Sequence, residues 1–231
     1  MTVATSSSEV ALVHSYLFLR RAVGVIGLAL PVVLIVGNLI WPHGMLLDSI
    51  SAAYYSPLRA VFIGSLSAVG VFLVSYRGYG RIDDVTGDIA GIGAIGAALF
   101  PTAPLVGASA AQKLAGLLHD GFAGVFFVAL VVFCLFLFPR NDGAPTPAKQ
   151  ERDVVYRTTG VIILVAIVLL GIAKFTGAVA GLHPQLWLET IAILAFGIAW
   201  AVKGETLGVL RDRVDEMRSA NGGTQQSAAV G

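Results

Sequence analysis

The sequence contains few charged residues and a single cysteine. Lys, Arg, Asp and Glu together form 13% of the 231 residues, and the formal net charge is +1. Soluble domains carry about 25% charged residues, so this composition excludes an ordinary soluble domain. The near-zero net charge also argues against a nucleic-acid partner. Because Cys134 has no second cysteine to pair with, an intramolecular disulfide is excluded.

The sequence also lacks the motifs that would name a reaction. Its four histidines form no HxxxH or HExxH pair with the tight spacing of a zinc enzyme. No GxSxG turn is present to expose a nucleophilic serine. Whether the protein is an enzyme therefore stays open at the level of the sequence.

Apolar residues are abundant, at 56% of the chain, and the mean hydropathy is +0.82. A helix needs about 20 apolar residues to cross the hydrocarbon core of a membrane. Runs of this kind predict an all-α fold, a polytopic membrane bundle of about six transmembrane helices. They lie at residues 22–41, 60–76, 85–103, 118–138, 159–180 and 186–202. The first run is too long for a cleavable signal peptide, so we interpret it as a signal anchor.

The basic residues predict the orientation of this bundle. Twelve of the fifteen Lys and Arg residues fall in the N-terminal segment, the second loop, the fourth loop or the C-terminal tail. The alternate loops hold only Arg59, Lys113 and Lys174. Because basic loops stay in the cytoplasm, we expect a protein of the cell (inner) membrane with both termini cytoplasmic.

The expected organisation is one membrane domain with short flanks. Residues 1–20 are predicted to be an N-terminal cytoplasmic segment. Residues 9–21 favour a short helix on the membrane surface, just before the first span. Residues 21–205 are the six-span domain. Residues 206–231 are predicted to form an amphipathic cytoplasmic helix and a disordered tail. The turn-rich stretch 141–150 predicts a linker between the fourth and fifth spans.

The third predicted span is rich in small residues. Gly87 and Gly91 lie four positions apart, and Ala90, Ala94 and Ala98 follow on a neighbouring stripe. Small residues at this spacing let helix backbones approach closely in lipid. We therefore interpret this span as a central packed helix rather than as a ligand path.

The predicted outer loops carry the candidate functional residues. Each of the three loops holds one histidine, one carboxylate and one base, and ionisable groups near this depth are costly unless they are paired or used. In a single bundle the three loops converge on an outward-facing cavity. The candidate ligand-binding residues are His43, Asp48, Ser49, Ser51, Tyr54, Tyr55, Arg59, His119, Asp120, His183 and Glu189.

Two interpretations of this set are open. His119, Asp120 and Glu189 are of the types that bind zinc, and three such ligands with an open position would activate water. Alternatively, the acids pair with the bases and the histidines cap helix ends. We favour the second interpretation, in which no cofactor is required, and expect His119, Asp120 and Glu189 to converge without a tightly bound metal. Tyr54 and Tyr55 are expected to be anchors at the membrane interface rather than a lid.

Several stretches resemble bacterial membrane proteins of the domain of unknown function 998 type, among them SISAAYYSPLR, GDIAGIGAIGAALFPTAP, LHDGFAGVFF and WLETIAILAFGIAWAVKGE. The resemblance covers residues 20–205 and implies a six-span protein, with no activity attached. The positions it marks as characteristic are Ser49, Ser51, Tyr54, Tyr55, Pro57, Arg59, Tyr76, Gly78, Asp84, Pro101, His119, Glu189, Lys203 and Glu205. A weaker likeness is to the seven-span zinc hydrolases of the alkaline ceramidase and adiponectin receptor type, whose late HxxxH is missing here.

The functional expectation is a membrane protein that binds a lipid or small solute in an outward-facing cavity. Its alternative is a metal-dependent membrane hydrolase that acts on a lipid at the outer leaflet. A third hypothesis is a small-solute or proton-coupled transporter. In each case the expected partners are membrane lipids.

Overall fold

The structure is a computed structural model that describes residues 7–78, 80–104, 106–140, 147–176 and 180–204. Within these ranges the fold is all-α and contains no strand. The six helices are α1 (Ser7–Ile40), α2 (Arg59–Ser75), α3 (Arg81–Leu99), α4 (Ala110–Val132), α5 (Pro147–Thr176) and α6 (Pro184–Gly204). A π-helical turn, Phe133–Leu137, extends α4. Two 3-10 turns, Ser51–Tyr55 and Ala180–Leu182, precede α2 and α6.

Within the described residues, four helices are long and apolar enough to cross a membrane, as in a multi-pass membrane protein. They cover Phe18–Ile40, Ala110–Leu137, Pro147–Thr176 and Pro184–Gly204. Helix α2 is apolar but has 17 residues, and α3 begins with a charged turn that contains Asp83 and Asp84. The predicted count of six spans therefore stays a prediction for α2 and α3.

The six helices run alternately between two ends of the bundle. At one end, which we call the closed end, Arg20 of α1 lies over the ring of Tyr76 after α2, with 4.9 Å to the centroid. At this end Arg140, after α4, also donates to Asp83 at the start of α3, over 3.3 Å. Lys203 of α6 lies 5.1 Å from the centroid of the Phe138 ring. The loops before α2, α4 and α6 lie at the opposite end, which we call the open end.

Aromatic rings seal the closed end. The indole of Trp200 is fully buried, and its ring centroid lies 5.2–5.6 Å from those of Tyr76, Phe133 and Phe138. Edge-on and tilted aromatic pairs of this kind stabilise a core beyond the area that they bury. The interior of the bundle is therefore accessible from the open end rather than from this one.

Close contacts between helices depend on glycine. A Cβ on Gly91 of α3 would lie 2.5 Å from the carbonyl oxygen of Gly70 on α2. On another side of α3, a Cβ on Gly93 would lie 2.9 Å from the backbone nitrogen of Phe126 on α4. Ala90 and Ala94 are fully buried. Helix α3 is thus held between α2 and α4, as its small residues predict.

Three predicted boundaries are wrong, each for a local reason. Helix α1 is continuous from Ser7, so no separate surface helix covers 9–21, because that stretch contains no glycine or proline to break it. Helix α3 ends at Leu99 rather than at 103. Pro101 disfavours the helical conformation for Phe100, whose φ of −89° and ψ of 125° are extended. Helix α5 begins at Pro147, inside the predicted linker 141–150, because proline suits the first turn of a helix.

Other predictions fall outside the described residues. These are the amphipathic helix and tail at 206–231, the first six residues of the N-terminal segment, and Glu205. The described part of α5 ends at Thr176, whereas the predicted fifth span extends to 180.

Candidate functional site

The loop between α1 and α2 folds back into the open end. Leu47, Ile50 and Ala53 are buried, and they belong to one apolar cluster with Leu34 of α1 and Leu186 of α6. Within the loop, the hydroxyl of Ser49 accepts the N–H of Ala52 over 2.9 Å and starts the 3-10 turn. The loop is therefore held against α1 and α6 and forms one side of the candidate site.

Two cavities meet beside this loop. The outer cavity has a volume of about 1060 Å³ and is lined by polar and apolar residues of all three open-end loops. The inner cavity, of about 260 Å³, lies among the six helices and is lined mainly by aliphatic and phenylalanine side chains. Five residues line both cavities, and we call them the polar junction: Ser51, His119, Asp120, Lys174 and Glu189.

Glu189 connects α6 to the first loop. Its Oε2 accepts the backbone N–H of Ser51 over 3.1 Å and the hydroxyl of Ser51 over 3.2 Å. Within the described part of the chain, no Lys, Arg or His nitrogen pairs with this carboxylate. The predicted pairing of every outer acid with a base is therefore wrong for Glu189, because the loop supplies neutral donors in place of a cation. It is also wrong for Asp48, whose side chain contacts a histidine, His183, instead of one of the bases.

His119 caps the end of α3. Its ring is 4% exposed, and Nδ1 lies 2.8 Å from the carbonyl oxygen of Ala97 and 2.9 Å from that of Phe100. Both neighbours are acceptors, so Nδ1 carries the proton, and in the neutral ring Nε2 is an acceptor. In a longer helix the Ala97 carbonyl would bond to position 101, but Pro101 has no N–H. His119 supplies the missing donor.

The other two outer acids contact side chains of neighbouring elements. Asp120 Oδ1 lies 2.6 Å from Lys174 Nζ, which joins α4 to α5. Asp48 Oδ1 lies 3.0 Å from His183 Nδ1, which joins the first loop to the third. The side chains of Lys174 and Asp120 are 35% and 49% exposed, so this pair contributes little stability in water, at most about 1 kcal/mol.

Nine of the eleven candidate residues line the outer cavity: His43, Asp48, Ser49, Ser51, Tyr55, His119, Asp120, His183 and Glu189. Tyr54 and Arg59 are not among its lining residues. They bond to each other, with 2.5 Å between Arg59 Nη2 and the Tyr54 hydroxyl and 4.1 Å from the guanidinium to the ring centroid. Tyr55 donates its hydroxyl to the carbonyl of Thr102 over 2.7 Å, which links the first two open-end loops.

The sequence missed two features of the site. The sequence predicts Lys174 only as one base of an outer loop, yet its side chain lines both cavities. The inner cavity is not predicted at all. Its lining residues, such as Leu66, Phe126 and Phe196, have the same composition as a packed core, and no sequence signal distinguishes the two.

The donor groups are not arranged as a metal centre. Within the described ranges, no group of three or more His, Cys, Asp or Glu side chains is placed to hold a metal ion. Each proposed ligand instead has a partner of its own: His119 has two carbonyls, Asp120 has Lys174, and Glu189 has Ser51.

The comparison with known proteins gives no relative. No family model, curated protein or solved structure matches this chain. The resemblance to the domain of unknown function 998 type therefore stays a prediction from the sequence. Any proposal about function must rest on the geometry of the two cavities.

Proposed function

We propose that this chain is a six-span protein of the cell membrane that binds a lipid or a similar amphiphile in an outward-facing cavity. With a rise of 1.5 Å per residue, the 17 and 19 residues of α2 and α3 extend about 26 and 29 Å. These lengths are close to the roughly 30 Å of a hydrocarbon core. The alternation of all six helices between the two ends supports six crossings.

The basic residues support the orientation of this arrangement. Arg20, Arg140 and Lys203 lie at the closed end. The open end carries Arg59, Lys113 and Lys174, and the other twelve Lys and Arg residues belong to the segments joined to the closed end. The positive-inside rule then places the closed end and both termini in the cytoplasm, and the outer cavity on the opposite side of the membrane.

The observation that carries the proposal is the polar junction between the two cavities. Above it lies a wide cavity whose walls are partly polar, and below it lies a smaller and mainly apolar one. An amphiphile has the same division, because its headgroup seeks hydrogen bonds and its chain avoids water. Each CH₂ group transferred from water to the inner cavity contributes about 0.8 kcal/mol to binding.

The junction also indicates the kind of headgroup. The Glu189 carboxylate accepts hydrogen bonds, as does Nε2 of a neutral His119, while the ammonium group of Lys174 donates them. A hydroxyl group both donates and accepts. A headgroup that carries hydroxyls, such as glycerol or a sugar, therefore suits the junction better than a bare anion or cation. No observation in the described residues favours the hydrolase or transporter alternatives.

The proposal is tested by thermal unfolding of the purified protein with 1-monodecanoylglycerol or with glycerol alone. A ligand that binds only the folded state raises the midpoint of unfolding. We expect a rise of several degrees with the amphiphile and none with glycerol. Glu189→Gln should abolish most of the rise, whereas Lys113→Gln, which alters a residue of the outer cavity alone, should retain it. An equal rise in wild type and Glu189→Gln, or no rise in either, would contradict the proposal.

A further inference from the structure

Helices α4 and α5 are packed closely near the closed end and leave open space beside their glycines near the open end. A Cβ on Gly160 of α5 would lie 2.6 Å from the Leu135 side chain and 2.9 Å from the Cβ of Cys134, beyond α4. Near the open end, a Cβ on Gly124 of α4 or on Gly171 of α5 would meet nothing within 4 Å. At these two positions, therefore, neither helix packs against a neighbour.

The burial of the α5 side chains also changes along the helix. The buried residues of this helix end at Ala166, although the helix continues to Thr176. Beyond that point Ile167, Leu170 and Gly171 line the inner cavity. This half of α5 is thus a wall of the cavity with apolar residues on both sides.

The gap between the two helices has an edge above and below. Toward the open end, the Asp120–Lys174 ion pair bridges α4 and α5. Toward the closed end, Phe127 of α4 and Ile167 of α5 pack against the main core. Between these edges lie Gly124 and Gly171, and both line the inner cavity. We call this gap the α4–α5 window.

We propose that the α4–α5 window is a lateral entrance, through which an acyl chain of a membrane lipid passes from the outer leaflet into the inner cavity. The inference rests on the proposed function and adds the source of the ligand and its route. Both helices are long and apolar enough to span the membrane, so the window between them faces hydrocarbon. A chain that enters there stays out of water along its whole path, and its headgroup meets the ion pair at the upper edge.

The test uses a phosphatidylglycerol, whose headgroup carries hydroxyls, with a diazirine near the end of one acyl chain, in vesicles that contain the protein. After illumination, mass spectrometry maps the labelled residues. In the wild type we expect label on Leu66, Ile193 and Phe196, which line the inner cavity from α2 and α6. Gly124→Phe and Gly171→Phe should each fill the window and lower this labelling several-fold.

Matched controls are available in α4 and α2. Gly121 of α4 and Gly64 of α2 also have open space around a built Cβ, and neither lines a cavity. Gly121→Phe and Gly64→Phe should therefore leave the labelling unchanged. Since replacing an exposed helical glycine favours the helix, all four variants are expected to fold. Gly171→Leu, with a smaller side chain, should give an intermediate loss.

A second probe separates the route from the binding site. A short monoacylglycerol with a diazirine, added from water, can reach the inner cavity through the outer one. If the window variants block the phospholipid but not this soluble probe, lateral entry is supported. If they block neither while the wild type is labelled, lateral entry is overturned and the amphiphile site stands. If neither probe labels the inner cavity of the wild type, both proposals are overturned.

Discussion

At the scale of single residues, His119 has a structural task and lines the site at the same time. Its Nδ1 donates to the carbonyls of Ala97 and Phe100, so it replaces the donor that Pro101 cannot provide. Its ring also lines both cavities. The contacts of Nδ1 with the end of α3 thus fix the position of the acceptor Nε2 in the polar junction. The structural task and the binding task require separate tests.

The structural task gives the first prediction. His119→Phe keeps an aromatic ring but removes the donor, and a buried polar group without its partner costs about 1–3 kcal/mol. We expect a loss of that size in the free energy of unfolding, measured by chemical denaturation in detergent. Lys113→Phe, at an exposed position of the same helix, should change it by less than about 0.5 kcal/mol. Equal effects of the two substitutions would show that the carbonyl contacts are not important for stability.

The candidate residues could be predicted in part because ionisable groups are expensive near a membrane. Because of that cost, each His, Asp and Glu at the end of a span is a candidate for a polar site. Nine of the eleven candidates line one cavity. Their partners could not be predicted. Glu189 bonds to Ser51, which lies 138 positions away, and Arg59 turns to the nearby Tyr54 instead of an acid. Such choices depend on how the loops fold.

At the scale of helices, the contact between α2 and α3 gives the second prediction. Gly91→Leu would force side-chain atoms into the space occupied by the Gly70 carbonyl and the Val74 side chain. Overpacking of this kind costs about 1–3 kcal/mol and more where backbone must move. The unfolding temperature in detergent should fall. Gly64→Leu, on the open side of α2, should leave it unchanged or raise it slightly, and a similar fall in both variants would contradict the packing described here.

Some boundaries of the helices could be predicted, but the spacing between helices could not. Pro101 and Pro147 mark the end of α3 and the start of α5 in the sequence itself. Gly160 and Gly171, by contrast, are both glycines in the apolar stretch of α5, yet the first is tightly packed and the second is open. Only the arrangement of the neighbouring helix distinguishes them, so the inner cavity and its window require a three-dimensional structure.

At the scale of the whole molecule, the six-span topology gives the third prediction. In the proposed orientation, which rests on the distribution of basic residues, the C-terminal tail lies in the cytoplasm and the loop before α4 lies outside. An alkaline phosphatase reporter is active only outside the cytoplasm. A fusion after Arg218 should therefore be inactive, and an insertion near Ser109 should be active. The reverse pattern would place the cavity on the cytoplasmic side.

The central claim is that one amphiphile occupies both cavities across the polar junction. The most direct measurement is a crystal structure of the protein grown in a lipid phase rich in monoacylglycerol. We predict elongated density that begins in the outer cavity near Glu189 and His119 and continues into the inner cavity between Leu66 and Phe196. An inner cavity that is empty or filled with ordered water, with lipid density only around the outer perimeter of the bundle, would contradict the claim.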